Sequence, residues 1–260
     1  MSALHKRVPV KNNISGIIGG VMYQKRDYRK SFSNELKWYN VCVEETDLMV
    51  GTDENHSKQI LKMIRTLRHD IYAAIEKNQD FFTSLVPIDY PGAEGVVKMM
   101  VDAAKLANVG PFAAVAGAIN DSLANELSKI SKQVFIENGG DLFIISEKER
   151  KIGIYAGNSV LSNRFAVEIP KEAFPVGICT SSGTVGHSFS MGKADAAVVI
   201  AKTSAIADAF ATALCNRIKK ETDIEPALEW VNSFEQVTAA VAILEDKIGA
   251  IGNIKLVKWN

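Results

Sequence analysis

The chain has 260 residues, 47% of them apolar and 23% charged, which suits one large domain or two closely joined lobes around a substantial core. Thirty basic residues balance thirty acidic ones, and the resulting formal net charge of zero argues against a general nucleic-acid binder, which carries a basic excess. No apolar stretch approaches the roughly 20 residues of a membrane span, and the start, Met1-Ser2-Ala3-Leu4-His5-Lys6-Arg7, lacks the apolar region of a secretory signal.

Cys42, Cys179 and Cys215 are widely spaced and form no CxxC, so neither a disulfide framework nor a zinc cluster is expected. These features predict a reduced, cytoplasmic protein with no membrane or nucleic-acid partner. Zero net charge also makes a homodimer easy to accommodate.

Residues 1–35 read as an irregular N-terminal segment of a single domain spanning 1–260. Their basic residues, among them Arg7, Lys11, Lys25, Arg26, Arg29 and Lys30, are the one candidate basic patch and read as a solvated face. Residues 38–50 alternate as a hairpin turning at 45–47. A helix follows over 57–77, with Thr52 or Asp53 as its cap and Ile60, Leu61, Ile64, Leu67, Ile71 and Ile75 on one stripe. His69, beside Asp70 near that stripe, reads as a surface histidine. Residues 81–91, holding Pro87 and Pro91, read as an irregular connection before a helix over 93–106.

Pro111 suits the first turn of a helix running to about residue 130. Ala113, Ala114, Ala116, Gly117 and Ala118 give its start almost no bulk, so a ligand or a neighbouring backbone can approach, and its amides favour anions. Tight helix packing accounts for the same residues equally well. Residues 133–146 hold two β-rich runs around Asn138-Gly139-Gly140-Asp141, with 151–156 continuing the same sheet and 166–169 adding a strand.

The chemically richest stretch is 177–216. A strand over 177–180 enters a loop of hydroxyls and glycines, a second strand covers 195–201, and a helix begins near Thr203. Asp208 and Thr212 lie four residues apart on that helix, so both oxygens project from one face and suit a cation or a phosphate. A short helix over 225–231 and two or three strands over 237–259 complete an α+β, or mixed α/β, pattern rich in antiparallel strands.

Nucleophilic catalysis finds little support. Cys179 and His187 are eight residues apart and no G-x-S-x-G elbow, Walker loop or Rossmann fingerprint appears. Cys179 reads as a buried structural cysteine. Ser181, Ser182 and Thr184 read as hydrogen-bonding groups for a phosphate or carbonyl. A carboxylate such as Asp208 in an apolar helix is costly to bury alone, so a cation, a hydrogen-bond network or water should meet it.

Three segments together, ENGGD (Glu137 to Asp141), TSSG (Thr180 to Gly183) and ADAFATAL (Ala207 to Leu214), resemble the ApbE superfamily over roughly residues 95–215. Those proteins are flavin transferases that use FAD and magnesium to attach FMN to a threonine of a target protein. The resemblance implies antiparallel sheets with packed helices in two closely associated lobes. It places metal ligands at Asp208 and Thr212, with the backbone carbonyl near Ala113 as a third. Asn138, Gly139, Gly140, Asp141, Thr180, Ser181, Ser182, Gly183 and His187 would lie at the cofactor, His187 being the candidate catalytic residue.

Two departures argue against FMN transfer. The histidine is followed here by Ser188-Phe189-Ser190-Met191-Gly192, and Gly110 and Ala116 stand where the transferases carry an aspartate and a lysine. The chain is most similar to an ApbE-like subgroup reading GICTSSGTVGHS, for which a role in sulfur assimilation, helping form homocysteine, is implied. The expectation is an ApbE-like protein that binds a flavin nucleotide or another small anionic or phosphorylated ligand together with a divalent cation such as Mg2+. Its rivals are a binding or accessory subunit that keeps the pocket without the chemistry, and a structural protein in which Asp208 satisfies buried backbone donors.

Overall fold

The computed structural model describes residues 35–184 and 190–259. Alternating side chains fold the first of them into a hairpin of β1 (Lys37–Val43) and β2 (Thr46–Thr52), with Glu44 at a φ of 54° where the chain turns. Helix α1 (Ser57–Lys77) has the bounds its apolar spacing predicts and buries Ile60, Ile64, Ile71, Ala74 and Ile75. Neither Thr52 nor Asp53 caps it. Thr52 lies in β2, its hydroxyl 2.7 Å from that of Tyr39, and Asp53 accepts from the Ser131 hydroxyl and the Lys132 amide across the fold. The Asn55 side chain accepts the Ser57 amide instead.

A short turn, α2 (Asp80–Thr83), stands within the expected irregular connection, and α3 (Gly95–Ala107) ends on Asn108 in the left-handed region. The helix expected to run unbroken from residue 111 to about 130 is divided into a 3-10 turn, Pro111–Ala114, and α4 (Val115–Leu127). Its two pieces meet at Ala114, whose φ of -124° and ψ of 11° are not helical.

The remaining elements are β3 (Val134–Asn138), β4 (Asp141–Ile145), β5 (Arg150–Gly153), β6 (Phe165–Ile169), β7 (Val176–Ser181), β8 (Ala196–Ala201), α5 (Ser204–Arg217), α6 (Ile224–Asn232), β9 (Val237–Leu244), β10 (Lys247–Gly252) and β11 (Lys255–Lys258). Eight strands form one sheet in the order β1-β2-β3-β4-β7-β8-β9-β10, every pair antiparallel. β11-β6-β5 form a second sheet of three. The strand at 150–153 therefore does not continue the sheet begun at 133–146, because it pairs with β6 alone.

Both faces of the large sheet are covered. The helices lie on one, where Phe81, Met100, Phe210 and Leu214 are fully buried, and the small sheet lies on the other, against Ile144, Ile178, Val198, Ile200, Val241 and Ile243. A strand covered on both faces should be apolar at every position, and β8 (AAVVIA) is.

The start of α5 is fully accounted for. Its Ile206 amide bonds the Thr203 hydroxyl, the Ala207 amide bonds the Thr203 carbonyl, and the Ser204 and Ala205 amides go to Asp121. Thr203→Ala removes one of these partners and should lower stability by about 1 kcal/mol, read as a fall of a few degrees in melting temperature.

Candidate functional site

The large sheet, α4 and α5 converge where β4 begins and β7 ends. Between β3 and β4, Gly139 and Gly140 take φ of 69° and 105°, the conformation a two-residue turn demands, while the Glu137 side chain accepts the Gly140 amide at 2.8 Å. This turn is pinned to α4 from both ends. Asn138 donates to the Ala116 carbonyl at 3.4 Å, and the buried Asn120 donates to the Asp141 carbonyl at 3.0 Å. The Asp141 carboxylate accepts the Thr180 amide at 3.1 Å, tying the turn to β7.

Helices α4 and α5 cross here at very short range. A Cβ on Gly117 would lie 2.2 Å from the Ser204 carbonyl oxygen, so only glycine fits. The Gly117 amide, which a continuous helix would give to the Ala113 carbonyl, donates to Asp208 Oδ2 at 2.9 Å. That competing acceptor is the physical reason the expected long helix divides. In return Asp121 of α4 accepts the Ser204 and Ala205 amides of α5, both at 2.8 Å.

The interior is acidic and carries no basic side chain in an ion pair with it among the described residues. Burial pushes the Asp121 carboxyl up to about 6 against the pull of the Ala205 and Ser204 amides. Burial likewise raises Asp141 to about 7, with the Thr180 amide and Cys179 opposing and the Glu137 charge adding to the rise. Asp208 is raised well above the carboxylate range by burial and then by the charge on Asp141. Cys179, fully buried, is held as a thiol by burial and by Asp141, Asp208 and Asp121, which is the structural role its sequence context predicts.

Strand alternation divides the sequence-predicted residues between the two faces of the large sheet. Phe143 and Cys179 pack with the helices, so Asn138, Asp141 and Ser181 share that side with Asp208. Thr180 lines the other side with Gly140, Ile152, Ile178 and Val198, around a cavity of about 40 Å³.

In the loop, the Gly183 amide is taken by the Ala194 carbonyl at 2.9 Å, and the Ser182 hydroxyl accepts the Thr184 amide at 3.0 Å. Among the described residues the buried Ser181 hydroxyl finds no hydrogen-bond partner of ordinary geometry, and it lies by the Cys215 thiol. His187 falls outside the described residues. Thr212, one turn after Asp208, is buried, and its hydroxyl makes no hydrogen bond among the described residues. His69 is at the surface, its side chain 82% exposed.

Asn120 and Asp121, which tie α4 to the β3–β4 turn and to α5, are missed by a reading that looks for motifs. Their signal was present as the polar run Asn120-Asp121-Ser122 set between the apolar Ala118-Ile119 and Leu123-Ala124 of one helix.

An all-oxygen set of one carboxylate, one hydroxyl and one freed carbonyl (Asp208, Thr212 and Ala113) has the chemistry of a hard divalent cation, with water completing the shell. No group of three or more histidine, cysteine, aspartate or glutamate side chains poised for a metal occurs among the described residues, so any cation there would rely on hydroxyl, carbonyl and water oxygens beside Asp208. The 40 Å³ cavity is far below the roughly 300–1,000 Å³ of an organic-ligand pocket. A larger open hollow, at Asn55 to Gln59, holds none of these residues. Gly110 is equally constrained, since a Cβ there would lie 1.7 Å from the Ser84 carbonyl oxygen, leaving no room for an aspartate.

Among the described residues no helix is long and apolar enough to cross a membrane. A solved flavin transferase ApbE from Vibrio cholerae superposes with a TM-score of 0.53 at 13% identity, covering 84% of this chain and 96% of that one. The ApbE protein of Thermotoga maritima gives 0.52 at 14% identity over 82% and 96%. These likenesses establish a shared fold, mixed α/β with antiparallel sheets. A UPF0280 protein of Methanocaldococcus jannaschii is 39% identical over 85% of this chain and 94% of its own length. Residues 29–248 match the family model described as AbpE bacteria, and the chain belongs to that family.

Proposed function

We propose that the protein binds a small anionic or phosphorylated ligand through a divalent cation held by Asp208, Thr212 and the Ala113 carbonyl, without transferring FMN. The observation that carries this reading is a raised carboxyl at a helix crossing, with no basic partner among the described residues, one turn before a threonine hydroxyl that makes no hydrogen bond among them. A carboxylate in that position is stabilised by a cation, a proton or further donors. The cation would supply charge neutralisation for the ligand, much as magnesium does for phosphates. Asp141, raised to about 7, would hold or release a proton beside it.

The closed position at Gly110 leaves no room for the aspartate that the transferases carry there, which disfavours transfer. No observation in the fold favours or opposes the sulfur-assimilation role. The rival reading, in which Asp208 serves only as a helix cap, rests on its bond to the Gly117 amide.

Calorimetric titration with Mg2+ or Mn2+ separates the two. The wild type should bind, more tightly at pH 8 than at pH 6 because the cation must displace the Asp208 proton. Asp208→Ala should weaken binding at least 100-fold. Unchanged binding in the variant, or none in the wild type, leaves only the cap. An absorbance spectrum and mass analysis of anything released from the purified protein then identify the ligand, a stoichiometric flavin making it a flavin nucleotide.

A further inference from the structure

We propose that Asp121 is the positioning residue of this site, because it and Asp208 form a reciprocal interlock in which each helix carries the carboxylate that caps the other. Asp208 on α5 accepts the Gly117 amide of α4, and Asp121 on α4 accepts the Ser204 and Ala205 amides of α5. No side chain of its own caps α4, so Asp208 is its only side-chain cap among the described residues. Between the two carboxylates the backbones touch at Gly117 and Ser204, where no side chain intervenes.

The arrangement has a mechanical consequence. A cap bonded to its own helix fixes only that helix, whereas these two bonds close a ring through both. Asp121 is 7% exposed and pairs with no basic side chain among the described residues, so its two amide bonds are the contacts that seat it. With those bonds gone, the first turn of α5 is released from α4, and Asp208, one turn further along, leaves the Gly117 amide. The carboxylate that would meet a cation is thus aimed by a residue that never touches one, as outer-shell groups aim metal ligands elsewhere.

This deepens the cation-site reading and rests on it for its functional meaning, while the interlock itself is tested without any metal. Amide hydrogen exchange would be followed in wild type, Asp121→Ala, Asp121→Asn and Ile64→Ala. Ile64 is fully buried on α1, outside the two crossing helices, and supplies a variant destabilised at neither carboxylate. Asp121→Asn keeps the shape and one acceptor and serves where the alanine variant fails to fold.

The interlock predicts exchange at least tenfold faster at Gly117 as well as at Ser204 and Ala205 in the Asp121 variants. Ile64→Ala at equal loss of stability should leave the ratio of Gly117 to its helix neighbours unchanged. Acceleration confined to Ser204 and Ala205 makes Asp121 an ordinary local cap and overturns the proposal.

Mn2+ titration of the same proteins supplies the functional arm, with affinity about 10- to 100-fold weaker in Asp121→Asn and unchanged in Ile64→Ala. Faster exchange at Gly117 in the Asp121 variants, together with a wild type that binds no Mn2+, would uphold the interlock and defeat the cation-site reading. Binding by the wild type with equal affinity in Asp121→Asn would defeat the positioning role alone.

Discussion

Gly117→Ala should destabilise the protein by about 3 kcal/mol or more, although it replaces the poorer helix former with the better one. Inside an exposed helix that substitution gains up to roughly 1 kcal/mol. Here the added methyl would sit 2.2 Å from the Ser204 carbonyl oxygen, 2.4 Å from its carbon and 2.7 Å from the Ala205 Cα, all backbone atoms of a packed helix. Backbone has no rotamer with which to yield, so α4 and α5 must separate, and overpacking of this kind typically costs about 1–3 kcal/mol and sometimes more.

The separation would stretch the Gly117–Asp208 bond and both Asp121 bonds at once, which places the result at the upper end of that range. Urea denaturation read by circular dichroism decides it. A midpoint equal to or above that of the wild type would mean that helix propensity wins and that the two helices do not meet at Gly117.

Local physics made much of the chain readable. The spacing of Ile60, Ile64, Ile71 and Ile75 gave α1 its bounds, and the two glycines between Asn138 and Asp141 gave the tight turn. Thr203 announced the start of α5 because a β-region hydroxyl before an alanine-rich run is a cap. What stayed hidden depends on distant partners. Whether residues 150–153 join the large sheet or the small one is decided by β6 and β11, which lie later in the chain. The division at Ala114 depends on Asp208, more than ninety positions away.

The site was legible in part for the same reason. ENGGD, TSSG and ADAFATAL pointed to the family, and the fold brings Asp141, Ser181 and Asp208 to one face of the sheet. Alternation along β7 sends Thr180 to the opposite face, a separation that reading the loop as one unit does not convey. Gly110 is the more instructive position. The resemblance suggests an aspartate there; in the structure it is a point where the Ser84 backbone leaves no space for any side chain.

The second large effect concerns pH. An acid whose folded value is raised binds its proton more tightly in the folded state. Its contribution to stability is therefore complete below the unfolded value, near 4, and is lost as pH rises through the folded value. Asp121, raised to about 6, and Asp141, raised to about 7, place that loss between pH 4 and pH 7. Together they should make the metal-free protein less stable at pH 8 than at pH 5 by on the order of a few kcal/mol.

Glu35 and Glu168 are shifted the opposite way by surface lysines. Their contributions fade only as pH falls toward and below about 4, outside this window. Melting curves at pH 5 and pH 8 for wild type and Asp141→Asn test the assignment. The amide removes one titrating group without changing shape, so the variant should show a much smaller difference between the two pH values and should equal or exceed the wild type at pH 8. Adding Mg2+ at pH 8 should recover part of the wild-type loss, because a cation relieves the charge that deprotonation creates. A wild type more stable at pH 8 than at pH 5 without metal would show that the carboxylates already have partners, and that the acidic centre is not waiting for a cation.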